Sequence, residues 1–370
     1  MNFLINKIVK FLEKKNFFFR LSGFLQRELS CFFLKNGYKI SPFIPKYLVK
    51  LLPFVSADKD LLKHLESAIC LSKFSVSSYK ILSPFDSLCA SNPSCFEVNK
   101  TIYVLYTIHN HKTTASRRFH YTNKSGSSKV GFGLSIITSE GVQKNLGAAN
   151  LDSSITICDF RCISLETSAL VSCSFESDGD GVHRIGWCLV PFDELDQGPS
   201  KWIFCLENSP FDNKTEKNWI PIHVEKNNFK FIYRLEGEIK TSETFLKVKN
   251  KNQLLVFPYS KTFSKKRGGS PFLKLENFFL ALAHQTYSKP YRNYLHFFAL
   301  GKWKQNDKFE IQIFNNSFFF FEPFDTEYCC GVCEIDNYVV FSFGFRNSEA
   351  WLMKFKKKKL IEMLDINIKR

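Results

Sequence analysis

Residues 267–284 read RGGSPFLKLENFFLALAH, and this stretch indicates the fold class. Its two adjacent glycines permit a tight turn or a close backbone approach. The apolar run 278–283 predicts a short buried strand that delivers His284 to its far end. Arg267 and His284 can then lie near one mouth of an all-β scaffold, where they suit an anionic or polyhydroxylated ligand. A glycine hairpin beside a core strand explains the same residues without a site.

The same pattern of short apolar runs continues over most of the chain after about residue 90. Short runs rich in Ile, Val, Phe, Tyr and Thr recur between turn residues, for example at 101–106, 169–175, 183–190, 308–314 and 339–343. Many short strands at even spacing are typical of an all-β repeat architecture. About 270 residues, at roughly 50 per four-stranded blade, predict five blades. We therefore predict an all-β fold, a five-bladed β-propeller over residues 91–355.

The two ends differ from this region. Residues 3–15 place apolar side chains at helical spacing with lysines on the opposite face, and a second helix is predicted after Ser56. We therefore expect a basic helical N-terminal extension over residues 1–90 and a short basic C-terminal helix over residues 356–370. The apolar stripe of the first helix suits either contact with a membrane surface or packing on the main domain.

The charge of the chain is concentrated at its ends. Of the net charge of +16, residues 1–50 hold ten Lys and Arg against two Glu, which gives +8, and residues 351–370 hold +5. Residues 51–350 keep only +3. A nucleic-acid binder would carry its charge as a patch on the folded body, so nucleic acid is not an expected partner. Basic, Phe-rich ends suit an anionic membrane surface better.

The twelve cysteines are scattered, mostly within apolar runs. Cys330 and Cys333 form a C-x-x-C, but no second pair stands at zinc-site spacing. The pattern predicts small buried thiols in a reducing compartment and no metal or cofactor. With no signal peptide and no long uncharged apolar run, we expect a cytoplasmic chain that touches the membrane periphery through its ends.

Several polar clusters stand at predicted strand ends inside the β region. They are Asn92-Pro93-Ser94, Asp159-Phe160-Arg161, Glu216-Lys217-Asn218-Trp219, the glycine turn with Gly269 and the downstream His284, Tyr294 with His296 on one face of a strand, Glu327, and Ser342-Phe343-Gly344 with the downstream Asn347. A propeller places one such cluster from each blade around its central funnel. Residues far apart in sequence can then surround one sugar.

In this order and spacing the clusters resemble those of the five-bladed β-propeller carbohydrate-active proteins related to mannoside phosphorylases and β-mannosyltransferases. The resemblance spans about residues 90–355. Glu216–Trp219 matches a Glu-Lys-Asn-Trp motif whole, and Gly268–Pro271 with His284 matches a Gly-Gly-Ser/Thr-Pro turn and its histidine. Single tetrapeptides recur by chance, but the ordered series is more specific. The resemblance implies glycosyl transfer or cleavage on a mannose-like glycan, with glycan, sugar phosphate or sugar nucleotide as ligands.

The chain departs from that pattern in ways that make it a divergent member. Cys158 replaces the first acid of a Glu-Asp-x-Arg motif, Thr107 stands where an arginine is expected, and Asn347 stands where an aspartate is expected. Each change removes a charge from the expected funnel. The lost acids favour a second hypothesis, a catalytically weakened propeller that binds a glycan or a protein.

The resemblance implies a set of site residues. Asp159 is the candidate general acid, because cleavage through an oxocarbenium-like transition state needs a proton donor. The candidate substrate-binding residues are Arg161, Glu216, Lys217, Asn218, Trp219, Arg267, Gly269, His284, Tyr294, Glu327 and Asn347. Two alternatives stay open: Asp159 and Arg161 also suit a structural ion pair, and Trp219 suits either a sugar face or the core.

Overall fold

The computed structural model describes residues 64–65, 67–113, 119–121, 130–150, 155–176, 183–207, 219–233, 246–247, 253–256, 266–287, 293–303, 309–322 and 326–368. Within these residues the chain is built almost entirely of strands, which confirms the predicted all-β class. The predicted helices over 3–15 and after Ser56 lie outside the described residues.

The described strands follow one another closely along the chain. In order they are β1 (Ile69–Cys70), β2 (Ser77–Ile81), β3 (Cys89–Val98), β4 (Thr101–His109), β5 (His111–Thr113), β6 (Phe119–Tyr121), β7 (Val130–Ile137), β8 (Gln143–Ala149), β9 (Thr156–Ser164), β10 (Ser168–Glu176), β11 (His183–Pro191), β12 (Cys205–Glu207), β13 (Ile220–Glu225), β14 (Asn228–Tyr233), β15 (Leu246–Lys247), β16 (Gln253–Val256), β17 (Lys266–Gly268), β18 (Leu273–Leu275), β19 (Phe278–Tyr287), β20 (Asn293–Trp303), β21 (Phe309–Phe319), β22 (Glu327–Ile335), β23 (Tyr338–Phe345) and β24 (Glu349–Lys356). Short 3₁₀ helices occupy Leu71–Phe74, Phe192–Gln197 and Pro199–Lys201, and an α-helix, α1, occupies Lys357–Ile368.

These strands form sheets of consecutive, mostly antiparallel neighbours. Sheet I has the order β3-β4-β7-β8, sheet II β12-β11-β10-β9, sheet III β13-β14-β16-β15, and sheet V β2-β24-β23-β22. Sheet IV has six strands, β1-β21-β20-β19-β17 with β18 also on β19, and β5 pairs with β6 in a separate hairpin. In sheet III the β14–β16 pairing is parallel.

The number of four-stranded sheets differs from the prediction. The described residues contain four of them where the sequence predicted five, so the count of five blades is not confirmed. Sheet IV is larger for two reasons. The turn after Gly268 divides one edge into β17 and β18, which both pair with β19. The short strand β1 adds to the opposite edge, parallel to β21.

The second and the last strands of the described chain share sheet V. Strand β2 pairs antiparallel with β24, so a segment before β3 joins the end of the β region. Helix α1 follows β24 directly, inside the range predicted for a basic C-terminal helix. It buries Leu360 and Leu364 in the core, while Lys357 forms an ion pair with Glu334 at 2.9 Å.

The inner strands of the sheets meet around the middle of the molecule. Strand β3 lies against β9 and β22, β9 also lies against β13, and β18 and β19 lie against β22. Side-chain hydroxyls join these strands: Ser94 Oγ accepts the Cys162 N–H at 2.9 Å and donates to the Cys330 carbonyl at 3.2 Å. The arrangement is β-propeller-like, with the inner strands of the sheets packed against one another around the middle of the molecule.

Aromatic side chains fill the spaces between sheets. Phe320 stacks on Phe343 with ring centroids 3.9 Å apart, and Phe298 stacks on Phe318 at 4.6 Å. Such pairs stabilise a core beyond the area that they bury. Many of the 41 phenylalanines therefore serve packing between sheets.

Candidate active site

The candidate site is built on β-bulges in three neighbouring inner strands. The register shifts in β3 between Ser91 and Ser94, in β22 between Cys329 and Gly331, and in the β9–β10 pair opposite Asp159. A bulge adds an unpaired residue and re-aims side chains, and bulges are frequent next to active sites. The sheets thus turn polar groups toward one another at one end of the central space.

Asn92 and Asp159 face each other from two of these bulges. Both have a positive φ, +44° for Asn92 and +54° for Asp159, a conformation that non-glycine residues seldom adopt. The Asn92 Nδ2 donates a hydrogen bond to Asp159 Oδ1 at 2.9 Å. The half-buried Asp159 carboxylate is therefore held in place by sheet I.

A glycine in sheet V makes room for Asn92. A Cβ atom at Gly344 would lie 2.2 Å from Asn92 Oδ1 and 2.9 Å from its backbone nitrogen. The backbone of Asn92 cannot yield easily, so only glycine fits. The Ser342-Phe343-Gly344 cluster found in the sequence thus positions the partner of Asp159, and Ser342 Oγ fixes the same loop by donating to the Pro93 carbonyl at 2.8 Å.

Arg161 joins three sheets from a buried position. Its side chain is 2% exposed. Nε donates to the Gly269 carbonyl at 2.8 Å, Nη1 donates to the Asp159 carbonyl at 2.9 Å, and Nη2 donates to Tyr328 Oη. Burial alone would lower the pKa of Arg161, but the neighbouring Tyr328, Cys330 and Asp159 raise it above its usual value. The guanidinium is charged, and these donors act on the protein itself.

Gly269 permits a close approach between protein strands. A Cβ atom there would lie 2.7 Å from the Leu282 carbonyl oxygen and 3.1 Å from that of Cys329. The Gly269 N–H donates to the Leu282 carbonyl at 2.9 Å, and Ser270 Oγ accepts the Leu282 N–H. The glycine turn therefore packs sheet IV against sheet V, and its described contacts are with the chain and not with an open funnel.

His284, Tyr294 and Tyr328 form a buried aromatic cluster behind Arg161. The His284 ring centroid lies 5.2 Å from that of Tyr294 and 5.1 Å from that of Tyr328, both edge to face. Burial raises the pKa of Tyr328 well above its usual value, although Arg161 opposes the shift. Arg267 is the cross-strand neighbour of His284, and its own side chain is exposed. His284 and Arg267 thus lie near each other, as the sequence predicted.

Two other predicted site residues, Trp219 and Glu327, contact the protein's own core and backbone. Trp219 is 2% exposed and packs on Phe231 at 5.7 Å, so it belongs to the core and presents no face to a sugar. Glu327 is fully buried, and its carboxylate accepts the N–H groups of Phe320, Phe321 and Glu322. Its oxygens secure the end of β21, so the structure does not support its predicted role in substrate binding.

Asn347 and the segment 216–218 are the remaining predicted site residues. Asn347, with φ +51°, lies in the turn between β23 and β24. A positive φ explains asparagine there without a ligand. Glu216, Lys217 and Asn218 lie outside the described residues, so their predicted roles stay predictions.

Several residues that shape the site have no role in the prediction made from sequence. Asn92 was visible as part of a polar cluster, but its contact with Asp159 crosses between two sheets. Tyr328 was missed, because nothing near it in sequence marks it as the partner of Arg161. Its position directly after Glu327, at the start of an inner strand, was the available signal.

His296 is a buried neutral histidine beside this cluster. It pairs with His284 across β19 and β20, and its ring stacks on Phe318 at 5.6 Å. Its Nε2 accepts the Cys329 N–H at 3.4 Å. Burial lowers the pKa of His296 from 6.5 to about 3. The ring therefore serves the core as a neutral acceptor.

We predict that His296 makes the fold sensitive to acid. Its pKa is lower in the folded chain than in the unfolded chain, so between about pH 6.5 and pH 3 the unfolded state binds a proton that the folded state does not. Its contribution to stability is complete above pH 6.5 and is lost as the pH falls. His296→Gln keeps an acceptor but does not titrate. In urea titrations from pH 7 to pH 4, the free energy of unfolding of the wild type should fall by up to about 1.4 kcal/mol per pH unit more than that of the variant. Parallel pH profiles of the two proteins would refute this.

Comparison with known proteins supports the fold. The sequence matches no known protein family, and no curated protein is detectably similar to it. Among solved structures, a β-1,2-mannobiose phosphorylase from Listeria innocua aligns over 79% of this chain and 100% of its own, with a TM-score of 0.51 and 10% identity. A mannose phosphorylase from Leishmania mexicana, solved with phosphate ion, aligns over 76% of this chain and 88% of its own, with a TM-score of 0.48 and 8% identity.

The first of these likenesses concerns the fold. The chain has an all-β, β-propeller-like fold similar to that of the Listeria innocua phosphorylase, which confirms the propeller part of the resemblance in sequence but not the number of blades. At 10% identity the likeness shows the fold alone.

Membrane-spanning helices and metal sites are both absent from the described part of the chain. No helix there is long and apolar enough to cross a membrane. No group of three or more His, Cys, Asp and Glu side chains in those same residues has the arrangement of a metal site.

Proposed function

We propose that the chain transfers or cleaves a glycosyl unit of a mannose-like glycan, with Asp159 as the proton donor. The observation that carries the proposal is the Asn92–Asp159 pair, held by two bulged strands and backed by Arg161. The propeller-like fold shared with the Listeria innocua enzyme, which was solved with β-1,2-mannobiose, supports a sugar as the ligand.

The geometry around Asp159 suits the transfer of a proton. Asn92 donates to Oδ1, and among the described residues no other hydrogen bond reaches the carboxylate, which leaves Oδ2 for a ligand. Departure of a glycosidic oxygen needs a proton, and the anomeric carbon needs a nucleophile or a base-activated water. Glu327, the other carboxylate that is buried in the described part of the chain, is committed to three backbone N–H groups. The second reactant comes from solution: phosphate, which needs no base, or water or an acceptor sugar activated by a base other than Glu327.

A binding protein is the second candidate, and one observation favours it. Each nitrogen of Arg161 donates to a protein acceptor, so that this cation is held by the fold. Titration calorimetry and a turnover assay with β-1,2-mannobiose separate the two functions. Binding with measurable release of mannose or mannose phosphate supports an enzyme. Binding without turnover supports the binding protein, and the absence of both excludes this sugar as ligand.

We further propose that sheet IV takes the place of the fifth blade. Its strands β18 and β19 lie against β22, and β13 lies against β18, so sheet IV stands between sheets III and V. An experimental structure with only four sheets around the axis would reject this.

The basic ends lead to a separate proposal about location. We propose a cytoplasmic chain whose ends contact anionic membranes, because residues 1–50 carry +8 and each basic residue near such a surface contributes roughly 1 kcal/mol. Flotation with vesicles should depend on anionic lipid and on salt, and deleting residues 1–20 should weaken it. Equal flotation with neutral vesicles would contradict the proposal.

A further inference from the structure

Three buried polar side chains lie together at one end of sheet I. Ser91 and Thr107 are cross-strand partners on β3 and β4, so their side chains share one face. His109 follows on that face, and its Nε2 is hydrogen bonded to Ser91 Oγ at 2.8 Å. All three are buried, Thr107 with 4% of its surface exposed. Because Ser91 directly precedes Asn92, this polar group adjoins the residue that holds Asp159.

Thr107 lies between sheets I and II. Its other cross-strand partner is Phe132, whose ring packs on Phe160 at 5.2 Å. Phe160 is the residue next to Asp159. Ser91 thus lies on one side of Thr107. On the other side lies Phe132, which packs on Phe160 in β9, the strand that carries Asp159.

The hydroxyl of Thr107 has no protein partner among the described residues. Its Oγ1 is fully buried and makes no hydrogen bond there. Buried polar atoms are almost always hydrogen bonded, so an exception indicates a water molecule or a ligand. A threonine hydroxyl both donates and accepts, which matches a sugar hydroxyl. It carries no charge, so it adds no net electrostatic attraction for an anion, whereas an arginine at this position would.

We propose that Thr107, with Ser91 and His109, forms a subsite that hydrogen bonds an uncharged hydroxyl of the sugar bound at Asp159. This inference rests on the proposed function and goes beyond it, because it assigns the group next to the proton donor to neutral sugar hydroxyls and not to phosphate. The resemblance in sequence suggested an arginine at this position, and threonine changes the chemistry that the position recognises.

Calorimetry on the full-length protein tests the subsite with two probes, β-1,2-mannobiose and inorganic phosphate. Thr107→Val keeps the shape and removes the hydroxyl. It should weaken disaccharide binding about 5- to 10-fold, the usual effect of one hydrogen bond, and leave any phosphate binding unchanged. Thr107→Ser should retain most of the affinity. Thr101→Val, the same change at the opposite end of β4, is the matched control and should have no effect.

Each outcome decides the matter. The melting temperature of Thr107→Val should equal or exceed that of the wild type, because no protein hydrogen bond is lost. If the wild type binds the disaccharide and Thr107→Val binds it with the same affinity, the subsite is overturned while the proposed function stands, since the hydroxyl then meets only water. Weakened phosphate binding with unchanged disaccharide binding would also overturn it. A wild type that binds no disaccharide would overturn both the subsite and the proposed function.

Discussion

Arg161→Met should lower the free energy of unfolding by about 3 to 5 kcal/mol, the range for removing one member of a buried charged network. Methionine fills much of the arginine volume but donates no hydrogen bond. The change leaves the carbonyls of Gly269 and Asp159 and the hydroxyl of Tyr328 without their guanidinium donors. These three acceptors belong to different inner segments, so the loss affects the packing of sheets II, IV and V at once.

Equilibrium unfolding in guanidinium chloride measures this effect. Arg267→Met is the matched control, because Arg267 is exposed at the neighbouring turn and its loss should change stability by no more than about 0.5 kcal/mol. Arg161→Lys should fall between the wild type and Arg161→Met, since one ammonium cannot reproduce three forked contacts. An Arg161→Met protein within about 1 kcal/mol of the wild type would show that the network is not structural.

Asp159→Asn should reduce turnover of a mannoside by about 10²-fold or more, the usual contribution of a general acid. The substitution is close to isosteric, and the new amide still offers an oxygen to Asn92, so stability should change little. Turnover is measured with β-1,2-mannobiose, with and without phosphate, at saturating sugar. Asp193→Asn, an exposed aspartate outside the site, is the control and should leave turnover unchanged.

Turnover by the wild type, compared with disaccharide binding by Asp159→Asn, separates the two proposed functions. In an enzyme, the Asp159→Asn protein should bind the sugar but fail to release product. An Asp159→Asn protein with full turnover would remove Asp159 from the mechanism.

Local patterns in the sequence predicted much of the fold. The runs at 101–106, 183–190 and 339–343 fall inside β4, β11 and β23, because two-residue alternation and turn residues report strands directly. Which strands join sheet IV was not predictable in this way. The parallel addition of β1 to β21 joins segments about 250 residues apart, and the division into β17 and β18 depends on the turn that Gly269 makes against β19 and β22. Pairing at that distance has no local signal.

The candidate site was predictable in part for the same reason. Asp159, Arg161 and His284 stood out as polar residues at strand ends, and the structure places them around one cluster. The commitment of Arg161 to Gly269 and Tyr328 depends on contacts 108 and 167 residues away. Trp219 was left open between the core and a sugar face, and Glu327 was misplaced, because residue type alone does not report burial. Tryptophan suits a core as well as a sugar, and a carboxylate binds backbone N–H groups as well as a ligand.

A crystal structure of the full-length chain with bound β-1,2-mannobiose tests the central claim most directly. The account predicts the glycosidic oxygen within about 2.6 to 3.2 Å of the Asp159 carboxylate, with a sugar hydroxyl on Thr107. A disaccharide bound at another part of the molecule, or an Asp159 carboxylate turned away from the glycosidic oxygen, would contradict it.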